Sequence, residues 1–238
     1  MKLLALDTAT EACSAAVWAD GVIHAHFEIA GRDHTQRLLP AAATALAQAG
    51  FGYSQLDGLV CGVGPGSFAG VRIAVALAKG VALAQALPVV GVSSLALLAQ
   101  RALRLDGGGD RVLVAIDARM GEVYFQPFER GADGLAVALA EAVVVAPTGV
   151  PMAPAPGPWL AVGTGWGSYE AELRAATGAD IHQVEGSALP QAADGLALAV
   201  PMFRCGETMT PDALQPVYLR NRVALTLLEQ QQRRTQNG

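Results

Sequence analysis

Aromatic residues make up 5% of this 238-residue chain, charged residues 16%, and lysine occurs twice, at Lys2 and Lys79. With so few aromatics and 52% hydrophobic content, the core must be filled by small aliphatic side chains, and helices must pack closely on alanine. The low charge does not signal disorder, because a chain this apolar buries a sizeable core, as one large domain or two small ones. The scarcity of positive charge excludes more. Sixteen basic against 21 acidic residues leave a formal net charge of −5, whereas a protein that holds nucleic acid unaided shows a basic face to neutralise phosphates. The densest basic pairs, Arg220/Arg222 and Arg233/Arg234, lie near the C-terminus.

Cysteine is also sparse. Cys13, Cys61 and Cys205 are far apart and form no CxxC pair, so they read as free cytosolic thiols rather than a disulfide framework or a zinc site. One lysine followed by Leu3–Leu6 and then Asp7 is too short an apolar run for a signal peptide. The charge-free stretch from Gly80 to Gln100 is interrupted by Pro88, Gly91, Ser93 and Ser94. It therefore reads as a helix end, a strand and the next helix rather than a membrane span. The expectation is a soluble, cytoplasmic protein that does not engage a membrane.

The pattern along the chain predicts a short strand at Leu3–Leu6, then strands at Cys13–Trp18 and Val22–Ile29 joined by an Asp20-Gly21 hairpin turn. A helix follows from Asp33 to Gly50, with a kink or restart at Pro40. Leu59–Val63 reads as a strand, Gly62–Gly70 as a turn opening a helix to Ala86, Val89–Val92 as a strand, and Ser93 or Ser94 as the cap of a helix to Leu105. Residues 106–110 form a linker. Beyond it, a strand at Val112–Ile116 ending at Asp117, strands at Gly121–Phe128, Val143–Ala146 and Trp159–Val162, and helices at Tyr169–Thr177 and Pro190–Phe203 are expected. The five-proline segment Pro147–Pro158 should be a surface loop, and Glu229–Gly238 a frayed polar tail.

Three hairpin-connected strands followed by helix, strand, helix, strand, helix is the order of a ribonuclease-H-like layer. The segment after the linker opens in the same way, Val114-Ala115-Ile116-Asp117 echoing Leu4-Ala5-Leu6-Asp7. The predicted fold is therefore α/β, with two ribonuclease-H-like lobes of actin-like ATPase type and mixed sheets flanked by helices. Residues 1–105 would form the first lobe, 106–215 a smaller second lobe, and 216–238 a C-terminal helix and tail returning toward the first.

Several groups invite a chemical reading. Gly62–Gly70 joins a strand to a helix, where free N–H groups could cradle an anion, or where a tight turn could bring the helix close to its sheet. It matches neither GxGxxG nor a P-loop nor GxSxG. Asp7, Thr8, Gly64, Gly66, Ser67 and Asp117 are the residues a vestigial nucleotide site would use, although Asp117 suits a turn cap equally well. His24 and His26 share a strand face without a third ligand at a supporting spacing, so no metal site is assigned. The helix from Val71 to Ala86 is apolar nearly all round, with Ala74, Ala78 and Ala82 in an i, i+4 row, which calls for burial on more than one side, by its own chain or by a partner.

Five segments then carry a resemblance. Ala5–Thr10, His34–Arg37, Gly64–Arg72, Ala115–Tyr124 and Pro216–Arg220 are together similar to the bacterial TsaB (YeaZ) family, in order from Met1 to about Arg222, with Ala69 where threonine is common. The resemblance implies a non-catalytic scaffold role in making threonylcarbamoyladenosine beside the anticodon of ANN-decoding tRNAs. In that family the partner TsaD transfers the threonylcarbamoyl group from threonylcarbamoyl-AMP to N6 of adenosine, and the small ATPase TsaE joins the pair. The HxxxH metal motif of TsaD is replaced here by Ser94 and Leu98. The resemblance further implies a TsaD-binding surface of His34, Leu38, Leu39, Ala42, Val71, Arg72, Ala74, Val75, Ala78 and Lys79, able to close on itself as a homodimer when TsaD is absent. It implies no catalytic residues and no cofactor of the chain's own, with ATP or ADP only at the level of the complex, and tRNA contact only through the complex. An actin-like ATPase or kinase with its own site is the rival reading. A peptidase finds no supporting motif.

Overall fold

The computed structural model describes residues 1–105 and 109–220. In the first lobe, β1 (Lys2–Asp7), β2 (Ala12–Ala19) and β3 (Val22–Ile29) form an antiparallel meander. Asp20 and Gly21 both have positive φ, 50° and 99°, the backbone that an Asp-Gly hairpin turn supplies. Then come α1 (His34–Ala49), β4 (Gly58–Gly62), α2 (Phe68–Gln85), β5 (Val89–Val92) and α3 (Ser94–Leu105). The strand order is β3-β2-β1-β4-β5, with β1 antiparallel to β2 and parallel to β4. The helix does not restart at Pro40: α1 runs unbroken from His34 to Ala49. Gln36, whose carbonyl loses its donor, and Pro40 are both exposed, so water can satisfy the group that the proline leaves open. Ser93 caps α3, its Oγ accepting from the N–H of Leu95 at 3.2 Å.

The second lobe contains β6 (Arg111–Arg119), β7 (Glu122–Arg130), β8 (Ala136–Ala138), β9 (Val143–Val145), β10 (Pro158–Val162), α4 (Thr164–Thr177), β11 (Asp180–Glu185) and α5 (Ala192–Cys205). Its order, β8-β7-β6-β10-β11 with β9 also on β7, repeats that of the first lobe. The chain is thus an α/β protein of two like-wound mixed sheets, as the internal echo predicts. Four elements differ from expectation. β8 is a short strand where none is expected. β6 continues past Asp117 to Arg119. α4 starts at Thr164, hidden by its glycines and by a break at Tyr169 (φ −139°). β11 escapes a period-2 reading because the register shifts after Trp159, pairing Ile181 with Trp159 and Gln183 with Leu160; its apolar residues Ile181 and Val184 therefore do not alternate.

Packing crosses the sequence division. α1 and α2 cover one face of the first sheet, burying Leu38, Leu46, Val71, Ala74 and Ala78 with Leu4, Leu6 and Cys61. The other face is covered by α5, which follows the second sheet and buries Leu196, Ala199 and Val200 against Leu3, Ala5 and Val60. Reciprocally, α3 follows the first sheet but packs Leu95, Leu98 and Ala102 on the second. α3 and α5 meet between the lobes, where Arg104 Nε lies 2.8 Å from the buried Asp194 Oδ1. The expected boundaries at 105 and 215 therefore follow chain order and not packing. Residues 214–220 form no helix. Most of the expected 106–110 linker, the tail, Arg222 and Arg233/Arg234 lie outside the described residues.

Candidate functional site

A cleft of about 1080 Å³ opens between the lobes, lined by the Gly66–Val71 turn on one side and by Ile116–Met120 and the start of α4 on the other. The glycine turn is shaped by close approach. A Cβ on Gly66 would collide with the carbonyl of Ala9, and one on Gly70 with the carbonyl of Thr8, so only glycine lets α2 dock this tightly against the end of β1. The turn's polar groups bond within the chain: Ser67 N–H donates to Ala9 O at 2.7 Å, Ser67 Oγ caps α2 by accepting from Gly70 N at 3.3 Å, and Thr8 Oγ1 donates to Gly70 O at 2.7 Å. Of the residues expected for a nucleotide, Gly66, Ser67 and Asp117 line the cleft, whereas Asp7, Thr8 and Gly64 do not.

The two equivalent aspartates, Asp7 and Asp117, occupy opposite environments. Asp7 is fully buried. Its Oδ1 accepts from Ala9 N at 3.2 Å, its Oδ2 has no partner and faces Gly62, and burial pushes its carboxyl up to about 7. Asp117 stands at the cleft wall. Its Oδ1 accepts from Arg119 N at 2.8 Å and its Oδ2 pairs with the Arg119 guanidinium at 2.9 Å, so the carboxylate braces the β6–β7 turn, where Arg119 and Met120 hold left-handed φ of 62° and 59°. One aspartate is thus sealed from the cleft and the other is already ion-paired. His26 Nε2 lies 3.7 Å from Glu28, and among the described residues no three His, Cys, Asp or Glu side chains gather as a metal site would require. Ser94 and Leu98 are both buried on α3, the former with an unpartnered Oγ.

The helix pair requires a correction. His34, Leu38, Ala42, Val71, Ala74, Val75 and Ala78, all expected to meet a partner, are buried inside the chain. His34 is held by its own β2, with Nε2 3.2 Å from Ala12 O. The small-residue row Ala74-Ala78-Ala82 faces the sheet, because an alanine-filled contact lets α2 lie close to β4. Lys79 and Arg72 mark a second side of α2, Lys79 Nζ donating to Asp212 O at 3.2 Å and Arg72 stacking over Phe68, 3.2 Å from the ring centroid. A third side is open: Ala69, Ala76, Gly80 and Leu83 are exposed, with Ile73 and Leu77 half-buried beside them. On α1, Leu39 (46% exposed), Ala43 and Ala47 are exposed as well. A Cβ added at Gly80 would meet nothing within 4 Å, so among the described residues no contact accounts for a helical glycine that costs about 1 kcal/mol relative to alanine. Of the expected partner residues, Leu39 is exposed and Arg72 and Lys79 are half-buried. Sequence periodicity could not set the phase of a helix apolar all round; Arg72 and Lys79, seven residues apart, were the signal that could have. α2 is also, among the described residues, the one helix long and apolar enough by length and composition to cross a membrane, with a third of it buried.

Four likenesses bear on this arrangement. The family model of TsaD, tRNA N6-adenosine threonylcarbamoyltransferase, matches residues 21–158. The tRNA threonylcarbamoyladenosine biosynthesis protein TsaB of Escherichia coli K12 is 45% identical over 226 residues, covering 94% of this chain and 96% of that protein. The TsaB of Haemophilus influenzae is 38% identical over 94% of this chain and 95% of its own length. Among solved structures, YeaZ from Pseudomonas aeruginosa superimposes with a TM-score of 0.85 at 41% identity, covering 92% of this chain and 99% of that one.

Proposed function

This chain belongs to the TsaB family of tRNA threonylcarbamoyladenosine biosynthesis proteins, and from that premise we propose that it works as a non-catalytic scaffold that docks a TsaD-type subunit on the open side of α1 and α2. TsaD would carry out the transfer of the threonylcarbamoyl group to adenosine, a TsaE-type ATPase would join the pair, and tRNA would be contacted through the complex, in the cytoplasm. The observation that carries this reading is the outer stripe of α2, apolar throughout, where Ala69, Ala76, Gly80 and Leu83 are exposed and Ile73 and Leu77 half-buried beside them. A contiguous exposed apolar surface of this kind marks a protein interaction site, and glycine and alanine let a partner helix approach closely. The match of residues 21–158 to the TsaD model supports a partner of like fold, since two like-folded chains can meet face to face about a pseudo-two-fold axis. The same side would close on a second copy when TsaD is absent.

The cleft supports the scaffold role over an ATPase of the chain's own, because Asp7 is sealed away and Asp117 is tied to Arg119. The test is reconstitution of tRNA threonylcarbamoylation from TsaD, TsaE and the acyl-adenylate-forming enzyme, with wild-type chain or with Leu83→Asp. Modification that needs this chain and fails with Leu83→Asp is the expected result. Equal modification without the chain, or unchanged TsaD capture by Leu83→Asp, would overturn the role or the surface respectively.

A further inference from the structure

Residues 214–220 run from one lobe to the other along the cleft. Leu214 is seated in the core beneath α2, and the N–H of Val217 donates to Val63 O at 2.8 Å, just before the glycine turn. Leu219 then packs against the core of the second lobe. Arg220 forms an ion pair with Glu122 and reaches Arg119 O at 3.4 Å and Met120 Sδ at 3.8 Å, so it grips the β6–β7 hairpin. Between these anchors, the Tyr218 ring lies 6.0 Å from Phe68 at the first turn of α2. The Arg72 guanidinium sits with them, 3.2 Å from the Phe68 centroid and 4.8 Å from that of Tyr218, its NH1 donating to Phe68 O at 3.0 Å. Tyr218 and Arg220 both line the cleft.

We propose that residues 217–220 are an interlobe strap that limits how far the cleft opens, and that Arg72 is the point through which α2 controls it. α3 and α5 join the lobes by apolar packing and the Arg104–Asp194 ion pair. The strap instead ties together the two walls that separate on opening, the glycine turn and the Arg119–Glu122 hairpin. The planar guanidinium of Arg72 contacts both the ring at the start of α2 and the ring of the strap. A shift of α2 is therefore passed to the strap and on to the second lobe. The inference stands on the isolated chain and does not depend on which partner, if any, meets the open side of α2.

The test uses the full chain carrying Cys205→Ser, with fluorophores on cysteines introduced by Ala47→Cys and Ala175→Cys at exposed sites of the two lobes; Cys13 and Cys61 are buried and escape labelling. Tyr218→Ala and Arg220→Ala should each widen the distribution of interlobe distances. Each should also speed hydrogen exchange at the Val217 and Glu122 amides by about ten-fold or more, as local opening becomes easier. Glu122→Gln, which breaks the same ion pair from the other lobe, should reproduce Arg220→Ala. Arg72→Ala should raise exchange in the second-lobe hairpin although it lies in the first lobe, and should add nothing to Tyr218→Ala, while Arg72→Lys keeps the charge but loses the stacking and should fall between. Unchanged distances and exchange in Tyr218→Ala and Arg220→Ala would overturn the strap. An Arg72→Ala effect confined to the first turn of α2 would overturn its control of the strap.

Discussion

The two lobes are wound alike and finished differently. Where the first lobe places α1, the second has the proline-rich segment 146–157, and where the first places α2, the second has α4. The second lobe closes itself with bulk. Trp159 and Trp166 are fully buried with Phe125 and Leu173, their indole N–H groups donating to Ala155 O at 3.1 Å and Leu113 O at 2.9 Å. α4 then turns Glu170, Glu172 and Arg174 to solvent, with Glu170 and Arg174 paired at 2.8 Å. The first lobe fills the equivalent space with alanine and leaves the far side of α2 apolar. A repeated topology fixes the strand order and the end of the sheet where the cleft forms. It does not fix what covers the outer helix, and that is where the lobes divide into one whose outer helix is charged and one whose outer helix is apolar and exposed.

That contrast can be broken at several places. The largest effect should come from Ala74→Glu, which drives an unpaired charge between α2 and its sheet and should destabilise the isolated chain by ~4 kcal/mol or more; a folded, merely partner-deficient protein in urea titration would return this row to the outer surface. Trp166→Ala should cost ~3 kcal/mol or more through the cavity and the orphaned Leu113 carbonyl, and a loss below ~1 kcal/mol would mean that the second lobe does not depend on its tryptophans.

The paired aspartates sharpen the comparison. Burial raises Asp7 from the usual 3.8 to about 7, so between these values the folded chain holds a proton that the unfolded chain has released. Its contribution to stability is therefore full below about pH 4, declines as pH rises through 7, and is flat beyond. The melting temperature of Asp7→Asn minus that of wild type should grow from pH 5 to about pH 7 and level off beyond it, and parallel curves would sink the assignment. Asp117→Asn breaks a single ion pair at the cleft wall and should change stability by under ~1 kcal/mol. Smallest of all on the isolated chain is Leu83→Asp, within ~0.5 kcal/mol of wild type; a larger loss in thermal melting would show that the stripe is packed within the chain and is not a free surface.

Much of the fold was legible. The Asp20-Gly21 turn, the run of β1 to β5 with the helices between them, and the echo of Leu4–Asp7 in Val114–Asp117 all follow from local chemistry: turn residues that accept positive φ, β-branched runs and a serine cap. The elements that escaped did so for local reasons too, glycines at the start of α4 and a register shift in β11. The candidate site was legible in kind but not in phase. An apolar helix calls for burial on several sides, and the resemblance implies partner contact at Ala74, Val75 and Ala78, whereas they are buried against the sheet; only Arg72 and Lys79 give periodicity anything to count, too little to fix which side faces in.

The amino-acid sequence alone determined the family, the two-lobed α/β winding, the glycine turn and the apolar character of α2, since each is written in neighbouring residues. Only the tertiary structure decided which side of α2 stays open, that α3 and α5 trade lobes, that Asp7 is sealed while Asp117 is ion-paired, and that residues 217–220 join the walls of the cleft. Those outcomes depend on which distant surfaces compete for the same apolar contact, and that competition is settled only once both sheets are in place.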